Sequence, residues 1–132
     1  MNMSGSKFLL DTNIITAWIK GEKNIADNVE NAASIYIPII VLGELYYGAS
    51  YSTHVQKNIG IIKKLSTRYK LLLLDELVSI EYGKIKSSLR KKGLPIPEND
   101  IWIAAIALRH NLTLVTRDKH FNEITGLKLK NW

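Results

Sequence analysis

Short apolar runs and longer segments of helical periodicity alternate along the chain. The apolar runs are too short for helices and are bounded by polar or turn residues, which favours β-strands. They are continuous rather than alternating in polarity, as expected for a parallel sheet that is covered on both faces. The predicted strands comprise residues 8–10, 35–41, 71–74 and 112–115, with a weaker fifth strand at 127–129.

The segments between these runs carry the spacing of helices. Apolar side chains recur three and four residues apart in two long segments, one starting at Val55 and one at Val78, and the second is stopped by Gly93 and Pro95. Residues 101–110 are apolar on nearly every side, which indicates a helix buried against the sheet. Shorter helices are predicted at residues 14–20, 25–33 and 42–51.

The alternation of strands and helices predicts one α/β domain with three α/β/α layers and a central, mostly parallel sheet. The domain spans residues 1–132, and residues 1–6 are expected to form a flexible N-terminal extension. A chain of 132 residues with 46% hydrophobic and 23% charged residues is long enough to bury a core and is unlike a disordered protein.

Two classes of function are excluded by what the sequence lacks. The absence of cysteine excludes a disulfide framework, a thiolate zinc site and a cysteine nucleophile. No apolar run approaches the roughly 18 residues of a membrane span. The first residues carry no apolar stretch before the first strand, so no signal peptide is predicted and a cytoplasmic location is expected.

Four acidic residues lie at the ends of predicted elements. Asp11 directly follows the first strand, and Asp118 follows the fourth. Glu44 follows the second strand, in the expected first turn of the next helix, and Asp100 opens the buried helix. Loops at the carboxyl ends of parallel strands converge on one crevice, so these four carboxylates are expected to lie close together.

A cluster of this kind needs a counter-charge. Two carboxylates about 4 Å apart repel each other by about 4 kcal/mol at an effective dielectric constant near 20. A hard divalent cation removes this repulsion, because Mg²⁺ and Mn²⁺ prefer oxygen ligands. The set therefore predicts a metal site. Structural interpretations remain open, since Asp11 fits an N-cap, Asp100 complements a helix dipole and Asp118 suits a solvated turn.

The same residues carry a resemblance to a known family. The ordered set comprises Asp11-Thr12-Asn13 after a hydrophobic strand, Glu44-Leu45 with Gly48, the segment from Asp100 to Ala105, and Thr116-Arg117-Asp118 with Phe121. This set resembles the PIN-domain family, and within it the VapC-type toxins of bacterial and archaeal toxin–antitoxin modules. The similarity runs from about residue 8 to residue 132.

The resemblance implies a metal-dependent endoribonuclease that hydrolyses RNA phosphodiester bonds with metal-activated water. It implies that the four acids bind Mg²⁺, with Mn²⁺ as a substitute, that Thr116 belongs to the site and that Asn13 orients the nucleophile or a ligand. It also implies a VapB-like antitoxin seated in a hydrophobic groove, and a homodimer. Two residues depart from the expected pattern, because Trp102 is unusually bulky and Glu98 adds a fifth acid whose role stays open.

The charge balance adds a candidate substrate surface. The chain carries a formal net charge of +6, and the bases outnumber the remaining acids by more than two to one once the four site acids are set aside. Arg117 and Lys119, nearest to the predicted crevice, are the expected RNA phosphate contacts. The three histidines show no pairing typical of metal ligands and are expected at the surface or at helix ends; they are His54, His110 and His120.

Three alternatives to this interpretation were considered. A phosphatase of the haloacid dehalogenase type also starts with a strand and an aspartate, but it needs a second aspartate where this chain has Asn13. A PIN-like nuclease in RNA maturation or DNA cleavage would share the site and differ in substrate. A non-catalytic nucleic-acid-binding module would use the acids only as helix caps.

Overall fold

Five parallel strands form one sheet in the computed structural model, which describes residues 6–132. Their order across the sheet is third, second, first, fourth and fifth, so the first strand is central and each pairing is parallel. The predicted central sheet is confirmed. The strands are β1 (Lys7–Leu10), β2 (Ser34–Pro38), β3 (Lys70–Leu72), β4 (Thr113–Val115) and β5 (Leu129–Lys130).

Six α-helices flank this sheet and complete the predicted three-layer arrangement. A short 3-10 helix, Lys119–Glu123, follows β4 and was not predicted. Within the described part of the chain, no helix has the length and apolar character needed to cross a membrane. The helices are α1 (Thr12–Ile19), α2 (Lys23–Asn31), α3 (Ile39–Ser50), α4 (Val55–Arg68), α5 (Glu76–Lys92) and α6 (Glu98–His110).

The core combines side chains of the strands with side chains from all six helices around them. Leu9 and Leu10 of β1 and Leu114 of β4 are fully buried, as continuous apolar strands require. The apolar stretch of α6 is buried on several sides, including Ile103 and Ile106. The prediction of a helix wedged against the sheet is therefore confirmed.

One predicted boundary was wrong, and it moves a site residue. The apolar run at residues 35–41 was expected to be strand throughout, but β2 ends at Pro38 and α3 begins at Ile39. A continuously apolar run has no periodicity that separates strand from buried helix, so the switch is not visible in the pattern. Glu44 consequently lies in the second turn of α3 and not in its first turn.

Smaller differences occur at the chain's other boundaries. β3 ends at Leu72, and Leu73 is 60% exposed, so the expected strand at 71–74 is shorter than predicted. The fifth strand is displaced to Leu129–Lys130. Of the expected N-terminal extension, residues 1–5 lie outside the described residues, while the Ser6 carbonyl accepts hydrogen bonds from the backbone N–H groups of Ala33 and Ser34.

Candidate active site

The four acids named from the sequence line one open pocket of about 400 Å³. Asp11 lies between β1 and α1, Glu44 on α3, Asp100 in the first turn of α6, and Asp118 between β4 and the 3-10 helix. Four separate segments of the chain thus converge at the carboxyl ends of the central strands. Three further residues, Thr12, Asn13 and Thr16, complete the lining.

Asp11 is the most deeply placed acid, with only 3% of its surface exposed. Its side chain is the N-cap of α1, where Oδ1 accepts from the Thr12 backbone N–H at 2.8 Å. Its Oδ2 accepts from the Thr116 hydroxyl at 2.7 Å. Burial raises the pKa of Asp11, and these two hydrogen bonds oppose the rise. Asp11 is therefore both a cap and a pocket residue, so its two interpretations are compatible.

Glu44 is held by two polar side chains that the sequence did not single out. The Thr12 hydroxyl donates to Oε1, and the Asn99 amide donates to Oε2 at 3.4 Å. Thr12 begins α1 and Asn99 lies in the first turn of α6, so Glu44 connects two helices across the pocket. The sequence offered one signal for each, since each stands next to a predicted site acid.

Asn13 and Thr116 form a network among the acids. The Asn13 amide donates to Oδ2 of Asp11 and to Oδ2 of Asp118, both at 3.4 Å. The side-chain oxygen of Asn13, Oδ1, accepts from the backbone N–H of Arg117 at 3.2 Å. The Thr116 hydroxyl oxygen also accepts from the Asp118 backbone N–H at 3.0 Å. Both residues thus lie where they orient acids of the pocket.

His120, which was expected at the surface or at a helix end, is partly exposed and contacts one acid of the pocket. Its Nε2 lies 2.6 Å from Oδ2 of Asp100. Asp100, Asp118 and His120 each offer a ligand atom, and these atoms lie within 4.8 Å of one another. Burial raises the pKa of Asp100, with the His120 hydrogen bond opposing and the charges of Asp118 and Glu44 adding to the rise. This contact was not predicted, because it depends on the 3-10 helix that carries His120, which the sequence pattern did not indicate.

The pocket has the donor set of a divalent cation site. Its four carboxylates offer hard oxygen ligands, and two of these carboxyl groups have raised pKa values caused first by burial. Within residues 6–132, no lysine or arginine forms an ion pair with any of the four. Lysine and arginine thus leave the negative charge unpaired within the described chain, and His120 is the basic residue that contacts one of the four acids, Asp100. Mg²⁺ and Mn²⁺ fit such a set of oxygen donors.

The expected substrate cations lie in different surroundings. The Arg117 guanidinium pairs with Glu22 at 2.8 Å, and its Nε donates to the Trp132 carbonyl oxygen at 3.2 Å. Lys119 is exposed at the start of the 3-10 helix, directly after Asp118. Arg117 is therefore engaged in holding the fold, whereas Lys119 forms no ion pair within residues 6–132.

The two departures from the family pattern lie outside the acidic pocket. Glu98 pairs with Lys86 at 3.1 Å and does not line the pocket. Trp102 stacks on Tyr82 with ring centroids 3.9 Å apart. Glu98 of α6 is thus paired with a lysine of α5. The Trp102 ring packs between α5 and α6 and does not narrow the pocket.

An apolar groove adjoins the acidic pocket. Its volume is about 450 Å³, and it shares Thr12, Thr16 and Glu44 with the pocket. The apolar part of its lining comprises Ile19, Leu45, Ala49 and Ile62. The side chains of Tyr47 on α3 and Tyr51, which directly follows α3, pack edge to face and are 67% and 79% exposed.

Comparison with known proteins agrees with this geometry. The model of the PIN domain family matches residues 8–127. The chain is 35% identical to Ribonuclease VapC2 of Haemophilus influenzae over 96% of its length and 98% of the relative. It is 32% identical to the tRNA(fMet)-specific endonuclease VapC of Salmonella typhimurium, with the same coverage.

A solved structure shows the same fold at similar identity. The crystal structure of VapBC2 from Rickettsia felis, bound to a DNA fragment from its promoter, superposes with a TM-score of 0.90 at 35% identity. The match covers 96% of this chain and 98% of the other. The chain therefore belongs to the PIN-domain family and is similar to its VapC-type ribonucleases over nearly its whole length.

Proposed function

We propose that this protein is a divalent-metal-dependent endoribonuclease and the toxin of a type II toxin–antitoxin pair. The observation that carries the proposal is the convergence of four carboxylates from four segments on one pocket, with no lysine or arginine of residues 6–132 paired to them. The nuclease names of the relatives support the same reaction class. The natural cofactor is Mg²⁺, with Mn²⁺ as a substitute.

Asp11, Glu44, Asp100 and Asp118 would hold the cation through their oxygens. When bound, such a cation provides Lewis acidity and lowers the pKa of water for phosphodiester hydrolysis at neutral pH. The Thr116 hydroxyl donates a hydrogen bond to Asp11, and the Thr12 hydroxyl donates one to Glu44, so both carboxylates stay oriented.

The remaining polar residues position the substrate and the acids. Asn13 bridges Asp11 and Asp118 and fixes the spacing of their carboxylates. Lys119 is placed to bind an RNA phosphate beside Asp118. Arg117 makes the same contact only if it gives up Glu22, so its contribution to RNA binding is the smaller one.

The partner is a VapB-like antitoxin. We assign it to the apolar groove, because this groove shares three residues with the acidic pocket and an occupant would block access to the acids. A homodimer is also proposed, and the exposed apolar side chains that follow β3 offer a surface for it. These side chains are Leu73, Leu74, Leu77 and Ile80.

The test combines metal binding with RNA cleavage. Asp11→Asn and Asp100→Asn each remove one charged ligand, so we expect Mn²⁺ affinity and cleavage of total RNA to fall by roughly 100-fold or more. The RNAs used in the cleavage assay include tRNA(fMet), because the name of the Salmonella relative specifies it. A chelator should abolish cleavage, and added Mg²⁺ or Mn²⁺ should restore it.

Asp27→Asn is the matched control, because Asp27 is an exposed acid on α2 that pairs with Lys23. It should leave both measurements unchanged. Undiminished cleavage by Asp11→Asn and Asp100→Asn would refute a catalytic role for the pocket.

A further inference from the structure

We propose that His120 is a positioning residue for Asp100. It holds one carboxylate oxygen by a hydrogen bond and leaves the other for a divalent cation in the pocket. This inference rests on the proposed function, and it assigns a role to a residue that lies outside the four acids. In this role His120 orients the carboxylate of Asp100 toward the cation and is not itself a metal ligand.

The contact between the two side chains is short and directional. His120 Nε2 and Asp100 Oδ2 are 2.6 Å apart, with 35% and 14% of the respective side chains exposed. An ionised carboxylate only accepts hydrogen bonds, so the imidazole N–H donates. Within residues 6–132, His120 supplies the side-chain hydrogen bond to Asp100. Asp11, Glu44 and Asp118 receive theirs from hydroxyl or amide groups.

The backbone around His120 is fixed at both ends. On one side, the Asp118 backbone N–H donates to the Thr116 hydroxyl oxygen at 3.0 Å. On the other side, Phe121 is fully buried, and its carbonyl oxygen accepts from the Ile124 backbone N–H at 3.1 Å. The imidazole is therefore presented to Asp100 from an anchored element. Such a pre-organised partner preserves the orientation of a metal ligand.

The imidazole geometry favours this role over direct metal ligation. The Nε2 atom that faces the pocket acids carries the proton donated to Asp100, so its lone pair is not available to a cation. Mg²⁺, moreover, is bound through oxygen ligands. Loss of a nitrogen ligand would weaken the binding of Mn²⁺ more than that of Mg²⁺, whereas loss of an orienting donor would weaken the binding of both metals by a similar factor. This difference provides the test.

The test is a calorimetric titration of Mg²⁺ and of Mn²⁺ into the full-length wild-type protein and three variants. His120→Leu removes the donor, His120→Asn places its amide too far back to reach Asp100, and His120→Gln restores an N–H at about the position of Nε2. We expect His120→Leu and His120→Asn to bind both metals about 10- to 100-fold more weakly, by similar factors. His120→Gln should remain close to wild type.

His110→Leu is the control, because it removes an exposed imidazole at the far end of α6. It should leave metal affinity unchanged. Thermal unfolding of the metal-free variants separates loss of affinity from loss of fold, and His120→Asn keeps the test valid if His120→Leu does not fold.

Three outcomes would count against these proposals. Wild-type affinity for both metals in His120→Leu and His120→Asn would overturn the assignment. So would imidazole nitrogen coupling to Mn²⁺ in pulsed electron paramagnetic resonance of the wild type, absent in His120→Leu, because it would make His120 a direct ligand. If the wild-type protein binds neither metal, the proposed function itself fails.

Discussion

At the scale of single residues, neutral hydroxyl and amide donors hold three of the four acids of the pocket. Thr116 donates to Asp11, Thr12 to Glu44, and the amide of Asn13 to Asp118. A hydroxyl or amide orients a carboxylate without cancelling its charge, which a lysine or arginine would do. The pocket therefore remains available to an external cation, and the folded chain without metal carries an electrostatic cost.

This cost predicts a pH dependence of stability. Because burial raises the pKa of Asp11, the folded metal-free chain keeps a proton at pH values where the unfolded chain has released it. Stability therefore falls as the pH rises through that interval. Asp11→Asn removes the charge and keeps a good N-cap residue. We expect it to raise the free energy of unfolding at about pH 7, and the gain to shrink toward about pH 4.

Guanidinium unfolding in the presence of a chelator measures this difference. Asp27→Asn, on the exposed face of α2, controls for the loss of a carboxylate as such. A gain for Asp11→Asn that stays constant with pH would contradict the explanation, because it would then have no link to the proton of Asp11.

The sequence predicted the acids of the pocket better than their partners. Asp11 and Asp118 follow strands, so the geometry of a parallel sheet brings them together whatever the details of the loops. His120 depends on a five-residue 3-10 helix, which has too few positions to show a periodicity. Thr12 and Asn99 owe their role to the angles at which α1 and α6 begin, and no pattern within either helix encodes those angles.

At the scale of elements, the end of α5 was predicted from Gly93 and Pro95, whereas the residue that caps its start was not singled out. Asp75 caps its start by accepting from the Val78 backbone N–H at 2.9 Å. Gly93 ends it in the left-handed conformation, with φ of +69°. The junction of β2 and α3 has no boundary signal of this kind except Pro38. Because its residues are uniformly apolar, the change from strand to helix could not be predicted from the hydrophobic pattern.

The two glycines of α5 predict opposite effects of the same substitution. Gly93→Ala forces a side chain into a left-handed conformation and should cost about 1 kcal/mol of unfolding free energy. Gly83→Ala lies inside the helix and should add about 0.5–1 kcal/mol. Apart from the adjacent residues and the backbone of the helix itself, no atom lies within 4 Å of the added methyl group at either position, so tertiary packing does not obscure the comparison.

Chemical unfolding of both variants under one set of conditions checks the pair. The sign of each change carries the test. Equal signs would mean that the backbone conformation at these two positions does not control the stability of α5.

At the scale of the whole molecule, acidic and basic side chains are distributed unevenly between the two ends of the parallel strands. The chain has a net charge of +6 although four of its acids are gathered in one pocket. The remaining surface is accordingly basic. Lys119 directly follows Asp118 of the acidic pocket, whereas Lys7 begins β1 at the amino-terminal end of the strands, opposite to the pocket. A polyanion drawn to the protein would therefore meet Lys119, and not Lys7, at the pocket.

This division predicts how RNA binding responds to salt. In single-stranded RNA, each phosphate contact contributes about −0.7 to the slope of log affinity against log salt concentration. In an Asp100→Asn background that does not cleave, Lys119→Ala should reduce the steepness of this slope by about 0.7. Lys7→Ala should leave it unchanged. Fluorescence anisotropy with a labelled oligonucleotide provides the measurement, and equal effects of the two variants would contradict a localised contact.

The central position of β1 has a consequence for synthesis of the chain on the ribosome. The Asp11 backbone N–H donates to the carbonyl oxygen of Val115, and the Asp11 carboxylate accepts from the hydroxyl of Thr116, which is 105 residues further along the chain. A nascent polypeptide cannot close this pocket before β4 and the segment after it have emerged. Translation that stops earlier yields a fragment with one wall of the cleft missing. For the proposed nuclease, this order of assembly means that incomplete copies of the chain lack a finished active site.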